Sequence, residues 1–163
     1  LYVKGRFKSL LISSDGEKYS PEGIEEALVE KSPYIDQVML YNNQCATTTA
    51  LVVPNKDALR RYLKDNGQKL ESEEGKKMAL LKLESELARF KKGGEFQGMF
   101  PERWLPSSFA VLAEPFTEQN QMINSTMKMV RPKIEKAYKE RIDYMYTSEG
   151  KQTLNQQNID AIA

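Results

Sequence analysis

The sequence contains no histidine and only one cysteine among its 163 residues. Without histidine, this chain cannot form the Ser-His and Cys-His pairs of many nucleophilic enzymes, and most catalytic zinc sites are excluded. Cys45 has no partner for an internal disulfide, which indicates a reducing compartment. Any chemistry in this chain must therefore rest on lysine, arginine, carboxylate or backbone groups.

An excess of one charge and a long apolar run are also missing. The chain has 24 basic and 23 acidic residues, for a net charge of +1, which argues against nucleic acid as a partner. No apolar stretch approaches the roughly 20 residues that a membrane-spanning helix needs. We therefore expect a cytoplasmic protein with no transmembrane segment, and peripheral attachment to a membrane stays open.

Hydrophobic periodicity and capping residues predict an α+β domain, a small mixed or antiparallel sheet with packed helices. A helical insertion over about residues 55–105 separates two strands of that sheet. The predicted elements are a strand at 9–13, a helix at 21–31, a hairpin of strands at 38–41 and 49–53, two helices in the insertion, a strand near 107–114 and a helix at 132–145.

The ends of the chain differ in character from its centre. Leu1 and Tyr2 already have strand composition, so the sequence suggests a domain taken from a larger protein. We expect residues 1–146 to form the domain. Residues 147–163 are polar, and they form either a short docking helix or a disordered tail.

Two motifs, more than a hundred residues apart, resemble those of one enzyme family. "GRFKSLLISSDGEKYSPEGIEEAL" is similar to the opening of the mobile C-terminal domain of the AMP-forming adenylating enzymes, which include acyl-CoA synthetases. "STMKMVRPKIEKAYKERIDYMY" is similar to the last motif of that family, in which a lysine precedes an arginine by three residues. The resemblance is best to the long-chain fatty acid–CoA ligase branch.

The resemblance implies that Lys128 is the catalytic lysine of acyl-adenylate formation. A compact ammonium group with three donors suits a reaction in which negative charge builds on the phosphates of ATP. The alternative is that Lys128 is an ordinary solvated lysine, since most lysines lie on the surface.

The first motif implies three further roles. Lys8 corresponds to the hinge of the mobile domain, and Arg6 to a residue that helps to hold nucleotide phosphates. Ser13, Ser14, Asp15 and Gly16 correspond to a loop that lines the tunnel for the CoA thiol. Asp15 departs from the glycine of many relatives and would place a negative charge near an anionic substrate. The alternative for all three is a surface turn beside a strand.

Two other residues of the first motif have less specific interpretations. Tyr19 either lines the tunnel or packs in the core, and Glu25 matches a family glutamate to which we assign a structural role. In contrast, nothing in the sequence marks a metal-binding residue.

The function implied is that of an ATP-dependent long-chain fatty acid–CoA ligase. Its substrates and cofactors would be ATP, CoA and magnesium, with most ATP contacts and all magnesium contacts in an N-terminal adenylation domain absent from this sequence. That domain, CoA and the fatty acid are the expected partners, and the isolated C-terminal domain is expected to be inactive. Two alternatives stay open, an acyl-acyl carrier protein ligase and a non-catalytic α+β interaction module.

Overall fold

The computed structural model describes residues 10–126 and 128–162. The strands are β1 (Leu11–Ser13), β2 (Lys18–Tyr19), β3 (Ile35–Tyr41), β4 (Asn43–Cys45), β5 (Thr48–Pro54) and β6 (Pro106–Val111). The α-helices are α1 (Glu22–Lys31), α2 (Lys56–Asp65), α3 (Glu73–Ala88), α4 (Arg131–Ala137), α5 (Lys139–Met145) and α6 (Gln156–Ile162). None of these helices combines the length and apolarity needed to cross a membrane.

The central sheet has the strand order β3-β5-β6 and confirms the α+β prediction. β3 and β5 pair antiparallel, as the predicted hairpin requires, with Leu40 opposite Ala50. β5 and β6 pair in parallel, so their connection must cross over. That connection contains α2 and α3, and the predicted helical insertion between two strands of one sheet is therefore confirmed.

Two hydrophobic cores lie on opposite faces of the central sheet, because successive side chains of a strand point to opposite faces. Val38 and Leu40 of β3 face the first core, which also receives apolar residues of α1, α2, α3 and α6. Met39 of β3 faces the second core, which receives Ile134 of α4 and Ile142 of α5. The sheet thus separates the layer of α1 from the layer of α4.

Two parts of the fold differ from the sequence-based prediction. The segment between β3 and β5 is not a simple turn, because β4 pairs in parallel with β1 and forms a second sheet of order β2-β1-β4. The Asn42 side chain stabilises this path by accepting a hydrogen bond from the Cys45 N–H at 2.8 Å. The predicted helix at 132–145 is divided at Tyr138, and this bend allows both α4 and α5 to reach the second core.

The polar C-terminal segment ends in a docked helix, which is one of the two predicted alternatives. α6 packs against α3 and β6, and its Asn158 is fully buried. The Asn158 amide accepts a hydrogen bond from Val111 N–H at 2.9 Å and donates one to Phe109 O at 3.1 Å. β6 is an outer strand of the central sheet, so its backbone groups have no neighbouring strand on one side. The Asn158 side chain supplies the hydrogen-bond partners of these groups instead.

We expect Asn158→Ala to lower the free energy of unfolding by about 2–4 kcal/mol, because it leaves the Val111 N–H and the Phe109 carbonyl buried without these partners. Urea denaturation followed by circular dichroism measures this change. Gln156→Ala is the matched control: Gln156 is exposed on the same helix, and its substitution is expected to change stability by less than about 0.5 kcal/mol. Equal effects of the two substitutions would contradict this assignment.

Candidate functional site

Lys128 lies on a short loop that the chain holds closed by its own hydrogen bonds. We name residues 124–126 and 128 the lysine loop. The Asn124 side-chain oxygen accepts hydrogen bonds from the backbone N–H groups of Thr126 and Lys128, both at 3.0 Å. The Asn124 N–H in turn donates to the Lys128 carbonyl at 2.9 Å. The backbone at Lys128 is therefore fixed, while the residue itself is exposed.

The two ends of the lysine loop are anchored to the second core. Ile123 and Met129 form an antiparallel bridge, and the Val130 N–H donates to the Met122 carbonyl at 2.8 Å. Ile123 is buried in the second core, and Met122 and Met129 pack against it. The loop thus projects an exposed lysine from a base that is held by packing as well as by hydrogen bonds.

Arg131, the first residue of α4, forms a buried ion pair with Glu25 of α1. The side chains are 11% and 6% exposed, respectively. Arg131 donates to both carboxylate oxygens, with a distance of 3.0 Å from Nη1 to Glu25 Oε2. The same Oε2 accepts the Leu40 N–H at 2.6 Å. Burial raises the pKa of Glu25 above its usual value, and the Arg131 guanidinium opposes that rise.

The loop of residues 13–16, which we name the transfer loop, connects β1 to β2. The Asp15 carboxylate accepts hydrogen bonds from the Ser13 hydroxyl and from the Glu17 N–H, and these two bonds lower the pKa of Asp15. Gly16 has a φ of +88°, a conformation that glycine adopts without strain. Ser14, Asp15 and Gly16 are exposed, so this turn presents backbone and a small polar surface to solvent.

The end of the helical insertion packs beside the transfer loop. The Arg103 guanidinium donates two hydrogen bonds to the Glu17 carboxylate, from Nε to Oε1 at 2.6 Å and from Nη2 to Oε2 at 2.7 Å. Trp104 stacks on Tyr19, with ring centroids 5.2 Å apart. Tyr19 is buried, and its hydroxyl contacts the Thr48 hydroxyl. Of the two interpretations of Tyr19, the packing role is therefore the one that its contacts support.

The lysine loop and the transfer loop belong to opposite layers of the molecule. β1 and β2 contribute Leu11 and Tyr19 to the first core. The residues that flank the lysine loop pack on the second core, across the central sheet. Among the predicted site residues that the structure describes, Lys128 and residues 13–16 therefore lie on two separate loops and not in one cleft.

Two predicted site residues lie outside the part of the chain that the structure describes, and one residue of the lysine loop was not predicted. Arg6 and Lys8 lie outside the described residues, so their roles stay predictions. Asn124, the central acceptor of the lysine loop, was not singled out. Its position two residues before Thr126 is typical of an Asn side chain that closes a turn by accepting backbone hydrogen bonds, and this signal could have identified it.

The described residues contain no cluster of metal-ligating side chains. Across residues 10–126 and 128–162, no three carboxylates or thiols come together in a group that could hold a metal. Magnesium usually keeps several water ligands and is held by one or two carboxylates together with substrate phosphates. The resemblance assigns that ion to the N-terminal adenylation domain.

Comparison with known proteins shows that this chain is similar to adenylating enzymes. Residues 8–73 match the model of the AMP-binding enzyme C-terminal domain. A chloroplastic long-chain-fatty-acid–[acyl-carrier-protein] ligase of Arabidopsis thaliana is 26% identical over 90% of this chain and 18% of its own length. Long-chain-fatty-acid–CoA ligase 5 of Mus musculus is 29% identical over 91% of this chain and 21% of its own length.

The fold agrees with the sequence comparisons. The crystal structure of the adenylation domain of a carboxylate reductase from Mycobacterium chelonae matches with a TM-score of 0.67 and 27% identity, over 86% of this chain and 20% of that one. The chain thus spans about a fifth of the length of these relatives. The resemblance seen in the sequence is confirmed: residues 8–73 match the family model, and the fold is similar to that of an adenylation domain.

Proposed function

We propose that this chain is the mobile C-terminal domain of an ATP-dependent long-chain fatty acid–CoA ligase. In this proposal Lys128 serves acyl-adenylate formation, and the transfer loop then serves thioester formation with CoA. The domain that holds the acyl chain, magnesium and most of ATP lies outside these 163 residues. The observation that carries the proposal is the exposed Lys128 on a loop that is closed by Asn124 and anchored on the second core.

In the first half-reaction, a carboxylate oxygen of the fatty acid attacks the α-phosphorus of ATP, and the bond to pyrophosphate breaks. Negative charge grows on the phosphate oxygens in the transition state. The Lys128 ammonium stabilises that charge, and its fixed backbone lowers the cost of orienting the group. Arg6 is proposed to help hold the nucleotide phosphates.

In the second half-reaction, the CoA thiolate attacks the acyl carbonyl, and AMP leaves with the bonding electrons of the acyl–phosphate bond. The transfer loop suits the approach of the thiol arm because Gly16 carries no side chain and no atom lies within 4 Å of the position that a Cβ would take. The Asp15 charge, which is a departure from many relatives, is engaged by the Ser13 hydroxyl and the Glu17 N–H. It therefore stabilises the turn itself.

The two half-reactions require the domain to present one loop and then the other. The position of the two loops in layers on opposite sides of the central sheet supports a mechanism with two orientations of the domain. Lys8 is proposed as the hinge at which the backbone dihedral angles change between these orientations.

A second candidate has support from the comparisons. One relative is named as an acyl-carrier-protein ligase, and the similar structure belongs to a carboxylate reductase. In these alternatives the adenylation role of Lys128 is the same, and the acceptor of the acyl group differs. An experiment must therefore identify the acceptor of the acyl group separately from the adenylation reaction. A non-catalytic interaction module is the remaining alternative.

We expect the isolated chain to fold cooperatively but to form no acyl-adenylate, because the two cores give it a stable fold while the ATP-holding domain is absent. The complete protein is expected to form acyl-adenylate from ATP and a long-chain fatty acid and to transfer the acyl group to CoA. Thermal melting by circular dichroism and a pyrophosphate-exchange assay test the two halves of this prediction.

Adding CoA, an acyl carrier protein or a reductase cofactor to separate reactions then identifies the acceptor. Transfer to the carrier protein alone would replace the CoA proposal with the second candidate. Adenylation by the isolated chain would contradict the division of labour between the domains, and no adenylation by the complete protein would favour the interaction module.

A further inference from the structure

The ion pair between Glu25 and Arg131 joins the two layers of the molecule around an outer strand. α1, which carries Glu25, packs on the first core, and α4, which carries Arg131, packs on the second. β3 is an outer strand of the central sheet, and its Leu40 N–H donates to the Glu25 carboxylate. One carboxylate thus holds α1, β3 and α4 together at a single point.

A contribution to the stability of the fold does not by itself explain the ion pair between Glu25 and Arg131. Two charges must leave water to form it, and replacing a buried ion pair by apolar residues is often neutral or stabilising. What an ion pair with two parallel hydrogen bonds provides beyond an apolar contact is a defined direction and distance between the two groups. The main effect of the ion pair is therefore to hold Arg131 in a defined position.

Arg131 follows Lys128 by three residues, so the two Cα atoms are separated by at most about 10 Å. The chain between them is further restrained, because the Val130 N–H is bonded to Met122 O and the Lys128 carbonyl accepts the Asn124 N–H. A shift of Arg131 therefore moves the end of a short, hydrogen-bonded segment that carries Lys128. The loop has little free length in which to absorb such a shift.

We infer that Glu25, acting through Arg131, is a positioning residue for Lys128 in acyl-adenylate formation. This inference rests on the proposed function. The Asn124 hydrogen bonds set the local conformation of the lysine loop, and the ion pair sets the place of that loop relative to α1 and β3. Glu25 itself touches no substrate.

The test compares Glu25→Gln and Arg131→Lys in the complete protein. Both variants keep a polar side chain at each position. Neither can form the two parallel hydrogen bonds that a guanidinium donates to a carboxylate. We expect kcat of pyrophosphate exchange to fall on the order of 10-fold to 10²-fold, since a displacement of about 1 Å can cost that much. The KM values for ATP and fatty acid are expected to stay unchanged, and transfer to CoA from supplied acyl-adenylate is expected to persist.

Glu22→Gln is the matched control, because Glu22 is an exposed carboxylate in the first turn of the same helix. It is expected to leave both half-reactions unchanged. Melting curves of all variants measure their folded fraction at the assay temperature. Equal losses in adenylation and transfer, or failure of both variants to fold, would overturn the inference by making the pair a requirement of the fold alone.

The Lys128→Ala variant separates this inference from the proposed function. If Lys128→Ala abolishes adenylation while Glu25→Gln and Arg131→Lys retain full kcat, only the positioning role is wrong. If Lys128→Ala retains adenylation, the proposed function itself fails.

Discussion

Replacing Lys128 by alanine in the complete protein is expected to slow acyl-adenylate formation on the order of 10²-fold or more, because it removes a charge that acts on the transition state. Thioester formation from supplied acyl-adenylate is expected to proceed at the rate of the unsubstituted protein. Pyrophosphate exchange measures the first reaction, and release of CoA thioester measures the second. Thermal stability is expected to be unchanged, since Lys128 is exposed.

Lys136→Ala is the control for Lys128→Ala, because Lys136 is an exposed lysine on the adjoining helix α4. It removes the same charge from the domain at a different place. Similar losses in the two variants would show a general effect of positive charge, and equal impairment of both half-reactions by Lys128→Ala would refute its specific role in adenylation.

Substituting Gly16 by leucine is expected to produce the opposite pattern, with adenylation retained and transfer to CoA reduced on the order of 10²-fold. The side chain would enter the space that the proposed thiol passage uses. The lysine loop lies across the central sheet and is not altered by this change. The measurement is the same pair of assays on the same protein preparation.

Backbone strain must be separated from obstruction in this experiment. A Cβ at Gly16 would meet no atom within 4 Å, but its φ of +88° is unfavourable for leucine by about 1–3 kcal/mol. Gly98 has a φ of +87° and equally open surroundings in the helical insertion, so Gly98→Leu carries the same strain. Loss of exchange with intact transfer in Gly16→Leu would contradict the two-loop proposal, and equal effects of both variants would assign the loss to strain.

The sequence predicted the elements whose signals are local. The helical spacing of apolar residues after Pro21 predicted α1, although the N-cap lies at Pro21 and not at the expected Ser20. The apolar runs on either side of the polar segment 42–44 predicted β3 and β5. Lys128 was identified from its motif. Its proposed role still depends on the resemblance, because an exposed lysine leaves no burial pattern that distinguishes it from other lysines.

The features that the sequence did not predict depend on distant partners. Glu25 and Arg131 are separated by 106 positions, and nothing in either neighbourhood indicates that they meet. Asn158 stands among other amides in a polar segment, so its burial against β6 has no local signal. The division of the last predicted helix at Tyr138 depends likewise on the shape of the second core.

The side chains of Glu25 and Asn158 occupy the backbone groups of the two outer strands of the central sheet, at Leu40 in β3 and at Phe109 and Val111 in β6. An outer strand with free N–H and C=O groups is a template on which a strand of another molecule can pair, and this is a common route to aggregation. Here an incoming strand would first have to displace a buried carboxylate or a buried amide. In the proposed mechanism the domain therefore changes its orientation without offering the middle of a bare strand to its neighbours.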